Sequence, residues 1–222
     1  MESTAADIGG LGRNADKVTK ADISRERVLT AAAKIFSERG YAGTTMRAVA
    51  KEVDRSAGSL YYHYRSKEEL IEAVLDKGIN GVSETVHRAV VGLSAGTTNR
   101  DRIDAAIHAH LSSIMEFGDY VLVTRRVLGQ VPAHVRRKHV RLRDAYGDFW
   151  VMLLESALKS GEIRSDIDLR LTRTFILGAL NSAVEWYKPQ GKAIDEVAKQ
   201  FALLITDGLY HSPAIESGPR SG

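Results

Sequence analysis

The chain has 222 residues, 44% of them apolar, so a sizeable core is available to one domain or to a small and a larger one. It contains no cysteine, which excludes a disulfide scaffold, a thiol nucleophile and a Cys-ligated metal, and fits a reducing compartment. The formal net charge is +3 and the pI is near 9.1, a mild lean towards polyanions that decides nothing alone.

Residues 1–22 are small and polar without sustained periodicity and read as a mobile arm. The first residues do not form a charged start followed by an apolar run, and no stretch approaches the roughly 18 apolar residues of a membrane span. A soluble, cytoplasmic protein is expected. In SRERVLTAAAKIFSERG, Val28, Ala32, Ile35 and Phe36 share one helical stripe, and Gly40 fits its stop. A short helix follows, capped by Thr44 or Thr45, with Met46, Val49, Ala50 and Val53 inward. A second short helix begins at Ser56 and turns Leu60 and Tyr64 inward. Ser66, three before Glu69, is a capping box opening a long helix through Leu70, Ile71, Val74 and Leu75 to about Val91.

Further helices are expected over Arg100–Phe117, Tyr120–Leu128, Ala133–Ser160, Leu169–Tyr187 and Ala193–Tyr210. Pro132 suits a first turn, and Pro189 with Gly191 separates the last two. Residues 211–222 read as a tail. No alternating β-branched run predicts a strand. The fold class is therefore all-α, divided as an arm (1–22), a small helical domain (23–67), a larger one (68–210) and a tail (211–222).

The segment TTMRAVAKEVDRSAGSLYYHYRSKEEL sets two short helices about three residues apart. The outer face of the second is dense in small and hydrogen-bonding residues, as entry into a DNA major groove requires. Small residues let the backbone approach the duplex, and hydroxyls and cations reach phosphates or base edges. The alternative is a solvated helix with aromatic packing. Thr44, Thr45, Ala50, Ser56, Gly58, Leu60, Tyr61, His63, Ser66, Lys67, Glu68 and Leu70 resemble the DNA-binding signature of the TetR family over residues 24–75. The resemblance implies that Thr45 caps the first short helix and contacts phosphate, and that Arg47 reaches a base edge or a phosphate. Ser56, Ala57, Gly58 and Ser59 would line the groove. Tyr61, Tyr62 and His63 would hold the DNA backbone, and Lys67 would pair with a phosphate. Leu60 and Tyr64 belong to the core. The turn departs from the family's Gly-Val and reads Asp54-Arg55. Asp tolerates the left-handed conformation, and Arg55 is either a DNA contact or a solvated turn charge.

The resemblance also implies a homodimer that reads a palindromic operator and releases it on binding a small effector, with repression as the habit. The last two long helices would form the dimer face through Leu171, Phe175, Leu180, Val184, Val197, Phe201, Leu204 and Ile205; the other reading is a monomer core. The middle helices would surround the effector. Candidates are Ile107, His110, Leu111, Ile114, Phe117, Leu122, Arg125, Arg126, Phe149, Trp150, Met152, Leu153 and Trp186, each of which simple core or a solvated face also explains. GEIRSDIDLRL and EWYKPQG resemble a subgroup that controls lipid, sterol or acyl-chain catabolism, some members answering to CoA thioesters. Arg136, Arg137, Lys138, Arg141 and Arg143 either hold such phosphates or form an exposed helix start. Glu185 beside Trp186 opposes an anionic ligand there.

An enzyme is the competing class, but no HExxH, phosphate-loop or GxSxG pattern occurs. His108 and His110 point to different helix faces, and His134 and His139 are five apart, poor spacing for chelation. No cofactor or metal is expected. A helical protein binding a membrane surface or a protein partner would leave the 44–67 signature unexplained.

Overall fold

The computed structural model describes residues 20–54, 57–188 and 190–209. Eight helices follow one another: α1 (Lys20–Arg39), α2 (Met46–Glu52), α3 (Ala57–His63), α4 (Lys67–Val91), α5 (Asn99–Val127), α6 (Ala133–Lys159), α7 (Leu169–Trp186) and α8 (Ile194–Leu209). No strand occurs among the described residues, so the all-α expectation holds. Most of the expected arm, and the tail from residue 211, lie outside the described residues. Lys20–Asp22, assigned to the arm, are instead the first residues of α1.

Local chemistry sets most helix ends. The α1 stripe Val28, Ala32, Ile35 and Phe36 is buried. Gly40 ends that helix at φ +71, with its N–H on the Phe36 carbonyl at 2.9 Å. Thr45, not Thr44, caps α2, its hydroxyl accepting from the Ala48 N–H at 3.2 Å. Thr44 is buried and donates to the Gly40 carbonyl at 2.8 Å. Asp54 holds φ 51, the left-handed position the α2–α3 turn needs. Ser66 caps α4 by accepting from Glu69 N–H at 3.1 Å. The reciprocal bond is displaced by one residue, because the Glu69 carboxylate accepts from Arg65 N–H at 2.7 Å instead of from the cap's own amide.

The two helices expected over Arg100–Phe117 and Tyr120–Leu128 are one 29-residue helix, α5. Gly118 and Asp119 weaken helix propensity by about 1 kcal/mol at the glycine. Packing on both sides overrides that cost: Phe117 and Tyr120 are buried, at 6% and 4% exposure, and lie against Gly81 and Gly78 of α4. A single hydrophobic core runs from Val28 in α1 to Leu209 in α8. The expected domain line at 67/68 therefore falls at the start of α4, whose Leu70, Ile71 and Val74 share the core of α1–α3.

Candidate nucleic-acid interface and effector cavity

α1 to α3 form a trihelical unit around Phe36, Val49, Leu60 and Tyr64, all essentially unexposed. Burial at Leu60 and Tyr64 fixes which face of α3 is outside. There, Gly58 is exposed, Ser59 and His63 are half-buried, and Tyr61 and Tyr62 are 49% and 86% exposed. Tyr62 and His63 meet edge to face at 5.4 Å. Thr45 and Arg47 are exposed at the start of α2. The arrangement sets a short helix with a small-residue start beside a capped helix, the geometry of a helix-turn-helix. Arg55, Ser56 and the Ala57 side chain lie outside the described part. Lys67 is more constrained than the sequence implied. Its ammonium donates to the Tyr41 carbonyl at 3.0 Å and sits 4.2 Å from the Tyr41 ring centroid. One of its three N–H groups is therefore held by the α1–α2 turn.

A cavity of about 640 Å³ opens between α4, α5, α6 and α7. Gly78 and Gly178 make room for it, and Ile79, Val82, Val121 and Leu177 give it an apolar wall. His110 and Arg125 line it, as expected, but the other apolar and aromatic candidates whose side chains are described do not, nor does Arg126. Trp150 and Leu153 are core residues, at 0% and 9% exposure. Ile107 and Leu111 are likewise fully buried, while Met152 points to solvent at 59%. Phe149 meets the His87 ring at 5.3 Å, and Trp186 stacks on Phe201 at 6.1 Å. Phe117 and Leu122 line a separate groove beside Val184 and Tyr187. Arg126 turns away to bond the Ser37 and Glu38 carbonyls. The Ile114 side chain lies outside the described part.

Arg143, expected either to hold ligand phosphates or to lie on an exposed helix start, also lines the cavity, and its remaining polar groups include four not offered as effector contacts from the sequence: His139, Tyr146, Arg173 and Asn181. His139 and Tyr146 were findable, being polar residues on the inward stripe that also carries Val135 and Trp150. His110 Nδ1 lies 2.8 Å from the Tyr146 hydroxyl. Burial pushes the His110 pKa down to about 4, against the opposing pull of Asn181, so the ring is neutral at pH 7. Burial likewise pushes the Tyr146 phenol up. His139 is held below the ordinary histidine value, first by burial and then by the Arg143 charge. Two buried atoms of this wall, His139 Nδ1 and Arg173 Nε, have no hydrogen-bond partner. The Arg173 guanidinium lies against Gly147, where a side chain would collide with Nη1. Glu185 pairs with Arg125 at 3.1 Å, so the carboxylate expected to repel an anion is neutralised.

The α7–α8 face carries most of the expected dimer residues in the open. Leu171, Phe175 and Leu204 are 52%, 67% and 76% exposed, and Val184, Val197, Phe201 and Ile205 are half-buried. Leu180 is a correction: it is 0% exposed and belongs to the chain's own core. Leu203, at 49%, is an exposed apolar residue that the sequence reading missed.

The family described as "Bacterial regulatory proteins, tetR family" matches residues 28–74. The "Tetracyclin repressor-like, C-terminal domain" matches residues 96–209. The HTH-type transcriptional repressor KstR2 of Rhodococcus jostii is 30% identical over 197 residues, covering 88% of this chain and 95% of that protein. The structure of the ketosteroid transcriptional regulator KstR2 of Mycobacterium tuberculosis superposes with a TM-score of 0.75 at 24% identity, covering 85% of this chain and 96% of that one. AibR, solved in complex with isovaleryl coenzyme A and operator DNA, superposes with a TM-score of 0.70 at 22% identity, covering 81% and 96%. Among the described residues no helix is long and apolar enough to cross a membrane. With a helix-turn-helix at its N-terminal end and a helical domain behind it, the chain belongs to the TetR family of bacterial transcriptional regulators.

Proposed function

We propose that the chain is a homodimeric repressor whose operator is released when an anionic amphiphile, an acyl-CoA thioester or a carboxylate of similar build, enters the α4–α7 cavity. The observation that carries this reading is the cavity wall. Arg143 and Arg173 stand in it with no ion-pair partner among the described residues, Arg173 Nε and His139 Nδ1 are buried and unpartnered, and an apolar wall lies beside them. A buried donor without an acceptor is costly, and an anionic head group would satisfy both Arg173 and the local charge. The isovaleryl coenzyme A in AibR supports the ligand class. Thr45, Arg47, Arg55, Ser56, Ala57, Gly58, Ser59, Tyr61, Tyr62, His63 and Lys67 make the DNA contacts. The exposed α7–α8 leucines and Phe175 pair two copies, since an apolar patch of this kind marks an interface.

Footprinting of purified protein on genomic fragments tests the operator. A protected palindrome whose affinity falls with salt is expected. Titration of that complex with acyl-CoA thioesters and free carboxylates then tests release. Arg173→Ala should leave operator affinity unchanged and raise the effector concentration needed by about 10- to 100-fold, the worth of one charge-assisted hydrogen bond. If no thioester or carboxylate changes operator affinity, the effector reading is wrong.

A further inference from the structure

The first turns of α6 carry a basic cluster that neither the helix-turn-helix nor the cavity uses. His134, Arg136, Arg137 and Arg141 are all exposed. Among the described residues, no carboxylate pairs with any of the three arginines. α6 has no acidic residue before Asp144. Lys138, on the flank between them and α4, is already committed to Glu72 and Asp76, both at 2.6 Å. The cluster therefore stays net positive after Glu72 and Asp76 are counted against Lys138 and the three arginines.

Its location follows from contacts at both ends of α6. Lys138 meets Glu72 and Asp76 near the start of α4, and Phe149 meets His87 near the end of α4. The two helices therefore run parallel, and the start of α6 lies at the same end of the molecule as the start of α4, where the trihelical unit sits. His134 lies about 6 Å further towards that end than Lys138, at 1.5 Å per residue. The segment leading into α6 touches the trihelical unit itself. Gln130 accepts from the Ala42 N–H at 3.4 Å, and Arg126 bonds the last carbonyls of α1. Ala42 is three residues from Thr45, the cap of α2.

We infer that the start of α6 is a second phosphate-binding surface, through which His134, Arg136, Arg137 and Arg141 hold the duplex flanking the half-site read by α2 and α3. Its occupant is the DNA backbone. The case rests on charge complementarity and on continuity with the helix-turn-helix face; the inference presupposes DNA binding but neither a particular operator nor the effector. Phosphate contacts of this kind add affinity and position without reading sequence.

The test compares full-length wild type with Arg136→Gln/Arg137→Gln/Arg141→Gln on two duplexes, one trimmed to the protected palindrome and one extended by a helical turn at each end. A second variant, Arg88→Gln/Lys159→Gln, removes charge at the far end of α4 and α6. All three proteins are first checked for equal helicity and melting temperature. On the extended duplex, the slope of log K against log salt should be shallower for the triple variant by about 5, at roughly 0.9 for each of the phosphates that the three arginines of both protomers no longer neutralise. On the trimmed duplex the two proteins should bind alike, and the far-end variant should match wild type on both. Equal slopes on the extended duplex overturn the inference, as does an equal weakening on both lengths. The same comparison on random duplexes of the two lengths should give the same slope difference. The surface is therefore judged even if the protein proves to have no sequence preference, which would overturn the operator reading alone.

Discussion

Gly78→Ala/Gly81→Ala sets two physical effects against each other at the seam between α4 and α5. Both glycines lie inside a 25-residue helix, where each alanine gains about 1 kcal/mol of helix propensity, together about 2 kcal/mol. Against this stands the space available. A Cβ at Gly78 would lie 2.9 Å from Tyr120 Cβ and 3.4 Å from the Tyr120 backbone carbon and oxygen. None of those atoms can rotate away, so the helices themselves must separate. A Cβ at Gly81 would run into the end of the Phe117 ring, which is 6% exposed and must shift towards the groove it lines. Overpacking of this kind costs about 1–3 kcal/mol per site, and the fixed Tyr120 atoms place Gly78 in the upper half of that range. The double variant should therefore be destabilised by about 1–4 kcal/mol net. For a chain of this length that lowers the melting temperature by about 2–16 °C. Reversible urea unfolding of both proteins at one concentration measures it. Combining Gly81→Ala with Phe117→Leu should recover part of the stability, a coupling that independent sites would not show. A double variant more stable than wild type by about 2 kcal/mol would mean that propensity alone governs this seam, and the close approach of α4 and α5 would be refuted.

Three other outcomes follow from single sites. Thr45→Ala removes the α2 cap bond and should cost about 1 kcal/mol of stability; operator affinity should fall with it, whereas Thr45→Ser should retain both. His110 makes acid unfolding steeper: its pKa is about 4 in the folded chain against an ordinary 6.5, so the unfolded chain takes up the proton first. The stability that depends on the neutral ring is fully present above about pH 6.5 and is lost as pH falls towards 4, by about 2 kcal/mol between pH 7 and 5. The His110→Gln variant should show a correspondingly flatter pH dependence of urea midpoint over that window, and an unchanged one would show that the ring is not the group titrating. Leu204→Glu on the exposed α8 face should convert a dimer to a monomer in sedimentation at micromolar concentration and abolish tight operator binding while leaving helicity intact; a persisting dimer would place the interface elsewhere.

What could be read from the chain alone was governed by how local the cause is. The Thr45 cap, the left-handed Asp54 and the Ser66 start of α4 each depend on residues within one turn, and all were legible. The inward positions of Leu60 and Tyr64 followed from helical spacing for the same reason. The α5 helix was misread because Gly118-Asp119 is a breaker by local propensity, and only contact with Gly78 and Gly81, some forty residues earlier, shows why the helix continues. Leu180 was assigned to a partner surface because an apolar helix does not announce which neighbour covers it. The cavity was the least legible feature. Large apolar residues such as Trp150 and Leu153 were natural candidates, yet they fill space. A cavity is where filling stops, here around Gly78 and Gly178 and polar groups drawn from three different helices.

Two helices connect the cavity to the trihelical unit. α4 joins the cavity to the trihelical unit, with Lys67 on Tyr41, Lys77 on Glu26, and Ile79 and Val82 in the cavity wall. The end of α5 is an equal partner. Val121, Thr124 and Arg125 face the cavity, whereas Tyr120 meets Thr30 and Arg126 caps the end of α1. Arg125 and Arg126 are consecutive, so one helical turn binds α7 through Glu185 and α1 through its carbonyls. With Gly78 and Gly81 holding α4 and α5 in rigid contact, a ligand cannot move one helix without the other. A packed seam of this kind transmits displacement instead of absorbing it. Reversing a 1:99 equilibrium takes about 5.5 kcal/mol of differential binding. One charge-assisted bond to Arg173, at about 1.5–3 kcal/mol, leaves a remainder that about four buried methylenes supply at ~0.8 kcal/mol each. If the proposed ligand makes these contacts in the released state alone, an anionic head and a short acyl chain together supply that differential, while either half alone falls short.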